Sequence, residues 1–208
     1  SLHDALPIFD VVLHLDHARD YDEIRKAIDA GFSSVMFDGS SLPLKENILG
    51  TKRVVDYARA RNVSVEAELG TVGGTEDGIA VSQDDACYTD PEDAVEFVKQ
   101  TGIDALAVAI GTSHGQYKSK TNISFERLKE LQEVVDIPLV IHGGTGVKDE
   151  DVKRVIDLGI RKFNVGTELL VGWNRKSREC YDEHRENISN RDNVVPCLDT
   201  ITEIRSEE

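Results

Sequence analysis

The chain has 208 residues, with 24 Lys and Arg against 39 Asp and Glu and a formal net charge of −15. This is the length of one domain with a substantial core, and the acidic excess argues against nucleic acid or an anionic membrane as partner. No apolar run is long enough to cross a membrane as a helix, and three cysteines (Cys87, Cys180, Cys197) spaced as neither metal knuckle nor disulfide framework point to a reducing cytoplasm.

Residues 1–8 lack the charged start and apolar centre of a signal peptide. They are read as a non-native leader, and the chain as truncated at its N-terminus. Residues 9–186 are read as a partial barrel domain and 187–208 as a C-terminal tail of the same domain. From Phe9 onward, apolar runs of strand length alternate with helical patterns, as in βα units around a parallel sheet. Val11–Leu15 predicts a strand, and Asp20–Ala30 a helix in which Ile24, Ala27 and Ile28 form one stripe. A strand over Ser33–Phe37 follows, then a helix over Leu44–Arg61 and a strand over Val63–Ala67 that ends in Glu68. Leu69–Ala86 is Gly-rich and acidic without a clear period, which predicts a functional or mobile loop. Pro91–Gln100 is a helix capped by Asp90. Ala105–Ile110 is a strand, Ser124–Val135 a helix, Leu139–Ile141 a strand and Lys148–Leu158 a helix. Lys162–Val165 is the last strand and Thr167–Asp182 a helix, while Asn187–Glu208 reads as a mixed tail.

The count is about six βα units. Acids, histidines and glycines stand at the C-terminal ends of all six strands, whereas an open doubly wound sheet would gather them near one switch point. The pattern therefore predicts an α/β chain of (β/α)8 TIM-barrel type, lacking two of its eight units. Such a chain would expose two sheet edges and is expected to be unstable or inactive by itself.

Three of the strands run into histidines: Leu15-Asp16-His17, Gly111-Thr112-Ser113-His114 and Ile141-His142. Three imidazoles at one barrel mouth make a catalytic-type zinc set with a position open for substrate. His14 is placed behind that set; His3 and His184 are discarded. Asp16 either orients His17 or acts as general acid/base beside the metal. Asp38 and Glu68, at the next two strand ends, are outer carboxylates or the seat of a second cation. Gly143-Gly144-Thr145-Gly146 and Asn164-Val165-Gly166-Thr167 both lead into helices, and their backbone N–H groups suit a phosphate. Lys118 can add a point charge to it.

Taken together, His14-Leu15-Asp16-His17, Val35-Met36-Phe37-Asp38-Gly39-Ser40, Glu66-Ala67-Glu68-Leu69-Gly70 with Gly73-Gly74, Gly111–Gly115, His142–Gly146 and Asn164–Glu168 resemble the class II, zinc-dependent ketose-bisphosphate aldolases, in family order. The resemblance implies that His17, His114 and His142 bind Zn2+, with Asp38 and Glu68 beside the metal. It implies Asp16 as the acid/base on the C4 hydroxyl and Glu76 as the carboxylate that exchanges the C3 proton of dihydroxyacetone phosphate. Gly115, Lys118, Gly143, Gly144, Thr145, Asn164, Val165, Gly166 and Thr167 would hold the phosphosugar. The reaction implied is reversible cleavage of fructose 1,6-bisphosphate, or its tagatose isomer, to dihydroxyacetone phosphate and glyceraldehyde 3-phosphate, with no Schiff-base lysine. A cytoplasmic homo-oligomer at full length, acting on a small phosphosugar, is expected. Gly166 departs from fructose-bisphosphate enzymes that carry an acid or amide there, which leaves the sugar open. A metal-dependent hydrolase and a non-catalytic phosphosugar-binding protein are the rival readings.

Overall fold

The computed structural model of the chain describes residues 11–76, 79–81, 87–114, 123–186 and 188–206. In chain order the elements are β1 (His14–Ala18), α1 (Tyr21–Asp29), β2 (Ser34–Phe37), α2 (Leu44–Arg59), β3 (Ser64–Leu69), β4 (Gly73–Glu76), β5 (Ile79–Val81) and α3 (Pro91–Thr101). They continue with β6 (Ala105–Val108), β7 (Ser113–His114), α4 (Phe125–Val134), β8 (Leu139–Ile141), α5 (Asp149–Asp157), β9 (Ile160–Phe163), α6 (Thr167–Glu183) and α7 (Asn190–Ser206). Six parallel strands form one sheet in the order β1-β2-β3-β6-β8-β9, with β1 and β9 at its edges. The described part is thus six strands of a barrel with their helices, as the alternation of patterns predicted. No helix among the described residues is long and apolar enough to cross a membrane.

The helices begin where local chemistry places them. Asp20, Asp90 and Ser124 each accept a hydrogen bond from a first-turn backbone N–H of α1, α3 and α4, satisfying donors that the helix leaves unpaired. Each strand then divides its side chains between two faces. Val35, Val65, Leu106, Leu139 and Ile141 pack outward with Ile24, Val54, Phe97 and Leu131 of the helices. Facing the barrel interior are Met36, Glu66, Glu68, Ala107 and Val140, all buried. Two acids on that inner row of β3 belong to a site rather than to a core, because a buried charge is costly unless it is paired.

Two irregularities in the edge strands shape the barrel mouth. In β1, Leu15 pairs with Val35 and Ala18 with Phe37, so Asp16 and His17 together stand opposite the single residue Met36. In β9, Leu139 pairs with Ile160 but Val140 with Lys162, so Arg161 is the extra residue there. A bulge of this kind re-aims the side chains beside it.

Several boundaries differ from the expected ones. Pairing starts where β2 starts, so β1 lies later than Val11–Leu15, and Val11, Val12 and Leu13 are exposed. β6 stops at Val108, and His114 belongs instead to β7, in a separate three-stranded sheet ordered β5-β4-β7. Part of the predicted Leu69–Ala86 loop is therefore strand: Gly73 pairs with Ser113 and Gly74 with His114, which brings β4 alongside that histidine. The expected mixed tail is mostly the helix α7. Its buried positions include Asn193 and Cys197, and Pro196 lies within it, so it carries no apolar period legible in sequence. It packs against α6 at Gly172, where a Cβ would lie 2.4 Å from Ile204 Cδ1.

Candidate active site

His17 and His142 meet at the C-terminal ends of strands from opposite sides of the sheet. His17 Nε2 lies 2.6 Å from His142 Nδ1, with the rings edge to face. The bulge in β1 makes this possible, and it holds His17 at φ 46, a left-handed conformation uncommon for a side chain other than glycine. His142 follows β8 directly and is 1% exposed. Burial, the larger influence, pushes its imidazole below the ordinary histidine value, against the opposing effect of Glu66. A neutral ring of this kind offers a lone pair to a cation.

Carboxylates surround the pair. Glu68 is buried on β3, with Oε2 3.9 Å from His17 Nδ1 and 3.8 Å from His142 Nδ1. Asp38, immediately after β2, lies 3.3 Å from His17 Nδ1 and accepts hydrogen bonds from Arg19 Nη2 (2.7 Å) and Ser40 Oγ (2.6 Å). Burial works against ionisation of Asp38, and its contacts with His17, Ser40 and Arg19 outweigh it, holding the carboxyl well below the usual range. One oxygen of Asp16 and one ring nitrogen each of His17 and His142 fall within 4.8 Å of one another, as do donor atoms of His17, Asp38 and Glu68. Two imidazoles flanked by buried carboxylates are a donor set that suits a divalent ion such as zinc.

Asp16 is the exposed member of the cluster, next to the ligand-type His17. Asn164, directly after β9, donates from Nδ2 to both of its oxygens at 3.3 and 3.2 Å. The partial shielding of Asp16 from water would raise its pKa, but His14 at 3.6 Å and the charges of His142, His17 and Lys162 overcome that and keep the carboxyl ionised well below its ordinary value. The arrangement is a carboxylate aimed at the mouth and fixed by one amide, which can accept a proton from a bound hydroxyl.

The two Gly-containing turns come together as well. Gly144 N–H donates to Asn164 O at 3.0 Å, and Glu168 N–H to Thr145 Oγ1 at 3.4 Å. Gly143 and Gly146 have φ of 69 and 81, which side chains rarely adopt. Val165, Gly166 and Thr167 lead into α6, with Thr167 its first residue. A Cβ at Gly166 would meet nothing within 4 Å, so packing does not demand glycine there. At Gly144 a Cβ would fall 2.2 Å from Phe163 Cε1 and 2.9 Å from Asn164 O. Gly144→Ala is accordingly expected to destabilise the protein by about 1–3 kcal/mol, read as a lower urea midpoint; an unchanged midpoint would contradict this packing.

Of the remaining expected residues, His114 and Glu76 contribute backbone to β7 and β4, while their side chains, with Gly115 and Lys118, lie outside the described residues. Sequence reasoning overlooked Glu66, Lys162 and Arg19. Glu66 was findable, since residues two apart on a strand share a face and Glu68 was already placed there. Lys162 was not, because only the bulge turns it inward.

A family model described as class II fructose-bisphosphate aldolase matches residues 3–207. The chain is 46% identical, over 193 residues, to a 6-phospho-5-dehydro-2-deoxy-D-gluconate aldolase of Bacillus licheniformis; the match covers 93% of this chain and 65% of that protein. It is also similar to the crystal structure of the YdjI aldolase from Escherichia coli K12, with 36% identity and a TM-score of 0.75 over 91% of this chain and 64% of that one. Fructose-bisphosphate aldolase from Campylobacter jejuni matches at 26% identity and a TM-score of 0.72, over 92% of this chain and 67% of that one. The chain thus spans about two thirds of the length of these proteins.

Proposed function

The chain belongs to the class II fructose-bisphosphate aldolase family, and from that premise we propose that it cleaves a phosphorylated ketose to dihydroxyacetone phosphate and an aldehyde, with zinc as cofactor. The observation that carries the reading is Asp16, gripped by Asn164 and set beside the meeting point of His17 and His142.

His17, His142 and, in this reading, His114 would hold the ion, with Asp38 and Glu68 around it as carboxylates that a second cation could use. Zinc supplies a Lewis acid for the substrate carbonyl, whose oxygen gains negative charge as the carbon–carbon bond breaks. Asp16 takes the proton of the hydroxyl β to that carbonyl. The C–C bond then breaks, its electron pair passes to the carbonyl side as an enediolate, and the aldehyde leaves. Glu76 returns a proton to the enediolate carbon, which gives dihydroxyacetone phosphate. The Gly143–Thr145 turn, Asn164–Thr167, Gly115 and Lys118 hold phosphate and sugar hydroxyls.

For the substrate, the 46% identity to the Bacillus licheniformis protein favours 6-phospho-5-dehydro-2-deoxy-D-gluconate. Its ketone stands next to the phosphorylated carbon, so cleavage between C3 and C4 yields dihydroxyacetone phosphate and a three-carbon semialdehyde acid. Fructose 1,6-bisphosphate is the second reading, supported by the family match, with tagatose 1,6-bisphosphate as its isomer. The test is release of dihydroxyacetone phosphate by the zinc-loaded protein from each compound. Faster turnover of the gluconate derivative is expected. Preference for fructose bisphosphate would move the substrate to the second reading, and binding without turnover of any of the three would favour a phosphosugar-binding role.

A further inference from the structure

We propose that Lys162 and Glu66 act as a positioning pair, which keeps His142 protonated on Nε2 so that its Nδ1 lone pair faces His17 and the ion. The pair has this role only if the cluster holds a metal, so the proposal rests on that reading of the site.

The two ring nitrogens of His142 have different surroundings. Nδ1 lies 2.6 Å from His17 Nε2 and 3.8 Å from Glu68 Oε2, on the side where the donor atoms converge. Nε2 lies 2.8 Å from Glu66 Oε1. An ionised carboxylate only accepts, so Nε2 is the nitrogen that carries the proton. That proton leaves Nδ1 to bind a cation, and the same contact fixes the plane of the ring. Asn164 Nδ2 also lies 3.3 Å from Nε2 and would donate to it in the other tautomer; the shorter 2.8 Å contact with the Glu66 carboxylate favours the Nε2–H form.

Glu66 is itself held. Its other oxygen, Oε2, is 2.8 Å from Lys162 Nζ. With one oxygen on His142 and the other on Lys162, Glu66 is placed to support the ring. The placement of Lys162 is not incidental to β9. Ile160 packs into the outer core, so strict alternation would turn residue 162 outward too. The extra residue Arg161 reverses the phase, and Lys162 pairs in register with Val140 of the inner row. A chain irregularity therefore delivers an ammonium to the acid that contacts His142 Nε2.

The test uses the 15N-labelled full chain. Without metal, long-range 1H–15N spectra identify the tautomer of His142, its signals assigned by their loss in His142→Asn. The Nε2–H form is expected. In Glu66→Gln, nearly isosteric, the amide can turn its NH2 to the ring, and signal is expected to move to the Nδ1–H form. Zinc titrated against a chromophoric chelator is expected to bind about 10–100-fold more weakly to Glu66→Gln and Lys162→Met, the usual range for losing a partner of a ligating histidine. Lys162→Arg, which keeps a cationic donor, is expected to recover most of that loss. An Nδ1–H or mixed ring in the unaltered chain, or unchanged zinc affinity in both Glu66→Gln and Lys162→Met, would overturn the proposal. Should the unaltered chain bind no zinc, the metal reading fails, while the spectra still decide the pair.

Discussion

Thorough chelation is expected to reduce cleavage by about 10³-fold or more, to background, and added zinc to restore it; borohydride in the presence of substrate is expected to leave activity intact. The size follows from the work assigned to the ion. Stabilising the charge that develops on a carbonyl oxygen is worth several kcal/mol, and each ~1.4 kcal/mol is a factor of ten in rate. Among the described residues, the side chains offer no evident substitute. Lys162, the lysine tied to the cluster, has its nitrogen engaged with Glu66 at 2.8 Å rather than free to attack a carbonyl. The ring nitrogens of His17 and His142 approach to 2.6 Å, which brings both within reach of one cation. Cleavage that persists in protein shown to be metal-free, or a reduced adduct on a lysine, would refute the scheme.

Replacement of Asp16 is expected to give the second large effect. Asp16→Ala should lower kcat for cleavage by about 10²–10⁴-fold, the usual contribution of a general acid/base, with a much smaller change in KM. The same variant should still exchange the proton of dihydroxyacetone phosphate with solvent, because that step is assigned to Glu76. Asp16→Asn is a harsher test of geometry. Its own amide hydrogens would face the Asn164 Nδ2 group, which in the unaltered chain reaches both carboxylate oxygens at 3.3 and 3.2 Å. Equal losses of cleavage and of proton exchange in Asp16→Ala would mean that Asp16 serves the whole site, not one proton.

Much of this site could be read from residue order. His17 and His142 stand at strand ends in both sequence and structure, because an apolar run that stops at a polar residue marks the rim of a parallel sheet whatever its neighbours. The capping residue Asp90 was legible for a similar reason: a cap is made within one turn of chain. The strand β4 was not, since Gly73 and Gly74 have little strand preference and pair with Ser113 and His114, about forty residues away, as well as with Val81 of β5 in the case of Gly74. The helix α7 was missed because its buried face includes an asparagine and a cysteine, and its packing against α6 supplies what its own pattern lacks.

By itself the sequence determined the βα order and the residue types gathered at the strand ends, consequences of local periodicity and local caps. The tertiary structure alone decided that Asp16 and His17 share one opening, that Lys162 faces inward, and that Glu66 supports His142. Those outcomes depend on an extra residue in each edge strand. Whether a bulge forms is settled by register against a neighbouring strand some twenty residues away in β1 and β9 alike, a balance of pairing energies that no short window of sequence contains.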